Sequence, residues 1–362
     1  MDTNEAPEDF VSRSIIARKT IRFWDRFLAW LFSHSARSYL KGKRVENICI
    51  PFPEYTEFYK KYSRFGTVRG IICAVTEFEE DKEICRKMLE TMDSKYDDVY
   101  LKELVCADFY GKAISYRNLK EGDSFPFYSA RKKLPITFTL DTVIPLWNDI
   151  CAFGFISSND EALLLFRGTD ISFLSTAGRA SMLSDLDPEG PGLALFENAK
   201  EALSSWLQVQ KGNGKETRVI GHSLGGSLAC YTLLFLPHLL SKTAASFATN
   251  YPGVNETLLK KWDGLDPKPK FCGIVTEGDA VSKFGFLLNE TLLFTAERKL
   301  PLMQSHELLF GAEPNFTLYQ INVIDENTTK SRELISKFHR GTSSILYQMG
   351  LKHILPSKKE EE

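Results

Sequence analysis

Val219-Ile220-Gly221-His222-Ser223-Leu224-Gly225-Gly226-Ser227-Leu228-Ala229 decides the fold. A short apolar strand, Arg218 to Ile220, runs into Gly-His-Ser-Leu-Gly, and a long apolar stretch, Ser227 to Leu240, reads as a helix. Strand before and helix after is the context that makes G-x-S-x-G a nucleophile elbow. The turn is so tight that Ser223 must take a strained backbone conformation. Gly221 and Gly225 remove the Cβ atoms that would collide with it. Such a turn pushes the Ser223 hydroxyl out over the end of the sheet. It also aims the first N–H groups of the helix at the same spot, where an oxyanion would form. The bland alternative is a Gly-rich strand-to-helix turn, but the full Gly-His-Ser-Leu-Gly-Gly between strand and helix is a much rarer pattern.

Outward from the elbow, Cys151 to Ile156 and Glu161 to Phe166 read as strands around the turn Ser157 to Asp160. The second strand ends in Arg167-Gly168-Thr169-Asp170. Leu195 to Gln210 is an amphipathic helix, with Leu195, Ala199, Ala202, Leu203, Trp206 and Leu207 on its apolar face. Beyond the elbow, Ala244 to Ala248, Lys270 to Thr276, Leu292 to Thr295 and Asn315 to Ile324 read as strands. Val254 to Trp262 is a short helix, and residues 331–354 look helical. Strands alternating with helices predict an α/β protein with a mostly parallel central sheet and helices on both faces.

A serine needs a base to take its proton, and the base needs an acid to orient it, in the chain order Ser, Asp or Glu, His. There are 6 His. His34 lies in an N-terminal helix, His222 is expected to point away from its neighbour's hydroxyl, and His238 is too far along the following helix. His306 is the best placed of the rest, in a polar break after Pro301 and before the late strand. His339 and His353, in the expected C-terminal helix, are the alternatives. For the acid, Asp279 follows an apolar strand in Gly278-Asp279-Ala-Val281, and ligands meet such sheets at the carboxyl ends of strands. Asp263 and Asp266 are the alternatives, in a segment that reads as surface. The oxyanion donors are the N–H of Leu224 and Thr169, which can offer N–H and hydroxyl together.

The chain has 362 residues, 43% hydrophobic and 25% charged, with a net charge of −2. That is a globular composition with room for one large domain or two ordinary ones, and nothing in it points to nucleic acid. The 7 Cys are scattered, odd in number and without a C-x-x-C pair. They argue against a zinc site or a disulfide framework, and for folding in a reducing compartment. The chemistry read from these residues needs no cofactor and no metal.

Met1 to Phe10 is acidic and polar where a secretory signal would be basic and then apolar. No run approaches the ~20 apolar residues that cross a bilayer. A cytoplasmic location is therefore expected. Residues 12–40 combine a basic side (Arg18, Lys19, Arg22, Arg26) with an apolar one (Ile16, Trp24, Phe27, Leu28, Leu31). A helix of that kind can lie in a membrane interface, as a peripheral contact. Packing on its own domain is the commoner fate. Three parts are expected: a mainly helical N-terminal extension over 1–135, a catalytic domain over 136–330, and a C-terminal helix with a charged tail over 331–362. Asp123 to Pro135, rich in Pro and charge, reads as a linker. Residues 45–135 show no chemistry.

Leu164-Leu-Phe-Arg-Gly-Thr169, the elbow, Phe247-Ala-Thr-Asn-Tyr-Pro-Gly253, Gly278-Asp279-Ala-Val281 and Ser305-His306 together resemble the class 3 (fungal-type) lipase family, in its order. The resemblance covers about residues 145–325. It implies an α/β-hydrolase fold and triacylglycerol lipase, phospholipase or carboxylesterase activity. It also implies Ser223, Asp279 and His306 as the triad, with Thr169 and Leu224 as oxyanion donors. A mobile lid is implied over Ile171 to Leu183. Two departures bear on the pocket and lid: Gly192-Leu-Ala-Leu-Phe196 replaces an aromatic-rich His-Gly-Phe stretch, and no proline follows the Gly-Asp motif.

The leading expectation is a serine ester hydrolase acting on lipid or acyl-ester substrates through an acyl-enzyme on Ser223. An acyltransferase would use the same acyl-enzyme with an alcohol as acceptor. A non-catalytic lipid-binding or membrane-associated protein is the reading from a different class, and an intact Ser, Asp and His argues against it.

Overall fold

The computed structural model describes residues 43–48, 86, 89–90, 99–112, 114–117, 119–129, 131–147, 150–169, 184–185, 187, 189–276, 278–279, 281–296, 305–306 and 316–320. In chain order the strands and α-helices are β1 (Lys43–Ile48), α1 (Val99–Lys112), β2 (Ser124–Ser129), β3 (Leu134–Trp147), β4 (Ile150–Ser157), β5 (Glu161–Phe166), α2 (Leu193–Gly212), β6 (Glu216–His222), α3 (Leu224–Phe235), β7 (Ser246–Thr249), α4 (Glu256–Asp263), β8 (Phe271–Thr276), β9 (Thr291–Ala296) and β10 (Phe316–Gln320). The strands form one ten-stranded sheet in the order β1-β10-β9-β8-β7-β6-β5-β4-β3-β2. From β5 to β9 every neighbouring pair is parallel. The flanking pairs are antiparallel. The parallel sheet expected from the sequence is therefore the centre of a mixed one.

Successive side chains of a strand point to opposite faces, and here each face has its own core. Phe153, Phe155, Leu163, Leu165, Ile220, Phe247, Cys272 and Ile274 belong to one. Ala152, Ala162, Leu164, Phe166, Val219, Ala248, Phe271 and Val275 belong to the other. Strands β5 and β8 are buried along their whole length, which is why they read as unbroken apolar runs. Helix α1 packs on the first face and α2, α3 and α4 on the second. Leu195, Phe196, Ala199, Leu203, Trp206 and Leu207 form the buried stripe of α2. Helix α3 is buried from Leu224 to Leu234, so no amphipathic pattern marks it. Its end falls short of the expected Leu240, because Pro237 cannot continue an α-helix and opens the 3-10 turn Pro237–Leu239 instead.

The sequence expectation is corrected most in the N-terminal third. The boundary expected at residue 135 falls inside a β-hairpin, and the expected linker contains β2, paired with β3 from Ser124↔Thr139 to Ser129↔Leu134. Phe125 and Phe127 both meet the ring of Tyr110 on α1. That aromatic burial outweighs the turn-like appearance of Pro126, which an edge strand tolerates because no further strand needs its N–H. Strand β1 also joins the sheet, against β10. These segments of the expected helical extension are thus strands of the sheet. The helices expected at 12–40 and 331–354 lie outside the described residues. No helix among the described residues is long and apolar enough to cross a membrane. A mixed sheet with a parallel centre, helices on both faces and a strand–turn–helix at Ser223 fits the α/β-hydrolase fold.

Candidate active site

The parallel strands β5 to β8 end on the same edge of the sheet, so the residues that follow them are brought together. Ser223 follows β6 with φ 57° and ψ −126°. A Cβ on Gly221 would stand 2.0 Å from the carbonyl oxygen of Gly225, and one on Gly225 would stand 2.6 Å from that of Phe166. Both positions are therefore closed to any side chain, and the elbow can form only with glycine there. The N–H of Ser223 donates to the carbonyl of Thr249 on β7 at 3.0 Å.

His306 and Asp279 complete the cluster. The Nε2 of His306 lies 2.9 Å from the Oγ of Ser223, and its Nδ1 lies 2.9 Å from Oδ1 of Asp279. Asp279 is 0% exposed, Ser223 6% and His306 8%, so the chain of bonds is shielded from bulk water. The carboxylate of Asp279 also accepts the backbone N–H groups of Val281 and Ser282. Those bonds fix its direction. The alternatives are placed elsewhere. Asp263 is an exposed residue bonded to Asn289 and near Lys268, Asp266 is exposed, and His238 lies in the turn after α3. His339 and His353 lie outside the described residues, as does the expected lid over 171–183.

Of the two expected oxyanion donors, Leu224 adjoins the serine in the chain and Thr169 follows Gly168 on the loop beside the elbow. Leu224 opens α3, and the first N–H groups of a helix have no intrahelical acceptor. Thr169 follows β5, but its hydroxyl does not point into open space: Oγ1 donates to Oδ2 of Asp185 at 2.7 Å. Desolvation pushes the Asp185 carboxyl up to about 7, against the opposing pull of the Thr169 hydrogen bond and of His306. Gly168 holds the same loop close to the elbow, since a Cβ there would stand 2.2 Å from the hydroxyl of Tyr116 and 2.7 Å from the carbonyl of His222. The Tyr116 hydroxyl donates to the carbonyl of Thr169 at 3.5 Å, and the guanidinium of Arg167 lies 5.4 Å from its ring centroid. Residues 45–135, silent in the sequence, therefore contribute Tyr116 to the site.

Sequence reasoning missed more than Tyr116. The ring of His222, expected to point away from the Ser223 hydroxyl, lies in tilted contact with that of His306, which no sequence pattern announced. Asn250, one residue past β7, bonds to the backbone of both Ser305 and His306. Its position at the carboxyl end of a parallel strand was the available signal. Among the described residues no cluster of His, Cys, Asp and Glu is arranged to hold a metal ion.

No protein-family model and no curated protein matches the sequence. Among solved structures, the chain is similar to a mutant form of MDLA from Penicillium cyclopium, at 17% identity, 66% of this chain and 90% of that one, with a TM-score of 0.41. It is similar to a triacylglycerol lipase from Penicillium expansum at 13% identity, 62% of this chain and 83% of that one, with a TM-score of 0.34. It is also similar to lipase II from Rhizopus niveus at 18% identity, 76% of this chain and 89% of that one, with a TM-score of 0.37. Two of these three solved structures are named as lipases.

Proposed function

We propose that the protein is a serine ester hydrolase that cleaves acyl esters of lipids through an acyl-enzyme on Ser223. The observation that carries the reading is the continuous chain from Asp279 through His306 to Ser223, with both contacts at 2.9 Å. In this reading Nε2 of His306 takes the Ser223 proton as Oγ attacks the ester carbonyl carbon. The carbonyl π pair moves onto oxygen, where the N–H groups of Leu224 and Thr169 stabilise it. His306 then gives its proton to the departing alcohol oxygen as the C–O bond breaks. Water repeats the cycle on the acyl-enzyme and releases a carboxylic acid. Asp279 holds the Nδ1–H of His306, which fixes the tautomer and stabilises the imidazolium that forms. The choice of lipid esters is the finer part of the proposal and rests on the resemblance of the motifs in sequence.

The test is hydrolysis of short- and long-chain p-nitrophenyl esters by the purified protein and by Ser223→Ala, with a fluorophosphonate probe on both. Turnover and labelling that vanish in Ser223→Ala support the reading, and a preference for long chains supports the lipid class. A folded wild type that neither labels nor turns over, in the presence of detergent and lipid, sinks it.

A further inference from the structure

Ser223, Asp279 and His306 come from three separate segments, so chain connectivity alone does not hold them in register. The contacts that do so converge on the end of β7. The carbonyl of Thr249 accepts the N–H of Ser223 at 3.0 Å, and the N–H of Asn250 donates to the carbonyl of Ile274 on β8 at 2.7 Å. The Asn250 side chain reaches the other two segments. Its Oδ1 accepts the N–H of Thr276 at 2.7 Å, and the carbonyl of Thr276 accepts the N–H of Asp279 at 3.0 Å. Its Nδ2 donates to the carbonyl oxygens of Ser305 at 3.2 Å and His306 at 2.7 Å.

We propose that Asn250 is a positioning residue, whose amide locks the segment bearing His306 and the strand leading to Asp279 onto the strand that anchors Ser223. This role rests on the reading of Ser223, Asp279 and His306 given above. The chemistry selects an amide. One end of the site presents an N–H and the other presents two carbonyls, and only a side chain with an acceptor on one atom and two donors on the next satisfies both. A carboxylate would set an acceptor against the two carbonyls. The backbone selects Asn as well. Residue 250 has φ 46°, in the left-handed region that Asn enters more readily than other residues with a Cβ. At 1% exposure no water replaces a lost partner, so the amide and its three acceptors and donors stand or fall together.

Asn250→Gly keeps the left-handed backbone and deletes the amide. Asn250→Asp keeps the shape and the acceptor for Thr276 but loses the donors to Ser305 and His306. For both variants and the wild type, kcat and KM on a p-nitrophenyl ester, and the rate of fluorophosphonate labelling of Ser223, are measured per folded molecule, with the folded fraction read by circular dichroism. A base displaced by about 1 Å costs on the order of 10²-fold in rate. The expected result is a loss of that order in kcat and in labelling rate for Asn250→Gly, with KM within about twofold. Asn250→Asp loses at least as much although it is isosteric, and it carries the test if Asn250→Gly does not fold. Rates per folded molecule equal to wild type, with wild-type turnover dependent on Ser223, overturn the role of Asn250 alone. Turnover that survives in Ser223→Ala overturns the reading of the nucleophile, and this role with it.

Discussion

The imidazole of His222 lies against that of His306, with ring centroids 4.8 Å apart and planes inclined by 37°. The residue next to the candidate nucleophile in sequence therefore braces the candidate base in space. Its Nδ1 is 3.1 Å from the carbonyl and 3.2 Å from the hydroxyl of Thr249, so the brace is anchored to β7. With that ring in place, His306 cannot tilt away from Ser223 on this side. His222→Ala is expected to lower kcat roughly tenfold to a hundredfold with little change in KM, since misplaced reacting groups are costly. His222→Phe keeps a flat ring and should recover much of the rate. Equal losses in the two variants, by steady-state kinetics, would rule out bracing by the ring face.

A pH dependence follows from Asp185. When ionised, its carboxylate accepts the hydrogen bond of the Thr169 hydroxyl, and its negative charge opposes an oxyanion forming beside it. When protonated, it can donate to Oγ1 of Thr169 and leave that hydroxyl's own proton for the oxyanion. Desolvation lifts Asp185 to about 7, while Thr169 and His306 act on it in the opposite direction. The expected outcome is a kcat that falls as pH rises through about 7. Asp185→Asn, whose amide donates to Thr169 at every pH, should lose that falling limb. Stability moves with the same sign. The folded state holds this proton more tightly than the ordinary value of 3.8, so stability present at low pH is lost as pH rises through about 7. Thermal unfolding of wild type against Asp185→Asn across that window checks it, and parallel curves would refute it.

The parts of this molecule legible in the sequence are those whose physics is local. Strands β5 and β8 are buried on both faces and need apolar runs, and α2 buries one stripe and shows it. Ser223 and Asp279 follow strands, and strand ends are visible. The hairpin partner β2 was hidden because Pro126 and the charged turn after it outweighed the alternation of Phe125 and Phe127. Asp185 and the contact between His222 and His306 depend on register between segments far apart in the chain, and no local pattern carries that; for Asn250 the strand end was legible, but its bonds to Thr276, Ser305 and His306 were not. The buried Glu103 of α1 made that helix hard to read for the same reason, since its partner Arg218 lies on a distant strand.

Asp187 caps α2 from a distance. The helix begins after Gly192, which is left-handed and offers no side-chain cap. Asp187, 5% exposed, accepts the N–H of Ala194 on Oδ2 at 2.7 Å and that of Glu189 on Oδ1 at 3.0 Å. A carboxylate at this end also complements the helix dipole. Asp187→Ala is expected to cost about 1 kcal/mol and to lower Tm by roughly 1 to 2 °C. Asp187→Asn, which keeps one acceptor, should fall between the two. Calorimetry checks both, and an unchanged Tm in Asp187→Ala would contradict the capping role.

Arg218 begins the run of residues that ends at Ser223, and it is 0% exposed. Its Nη1 pairs with Glu103 of α1, and its Nη2 lies 3.1 Å from Oε2 of Glu161 on β5. Ser129 of β2 donates to the same Glu161 carboxylate, and the guanidinium lies 5.0 Å from the ring centroid of Phe127. One cation thus joins a helix to three strands of the sheet on the face that carries α1. Removing it leaves two carboxylates facing each other without water, which is worse than having no charges there at all. Arg218→Met is expected to destabilise the fold by about 3 to 5 kcal/mol, read as a fall in the urea midpoint. Adding Glu103→Gln and Glu161→Gln to Arg218→Met removes the stranded charges and should recover much of that loss. The recovery is the decisive comparison, because a purely steric role for the arginine would leave the triple variant as unstable as the single one.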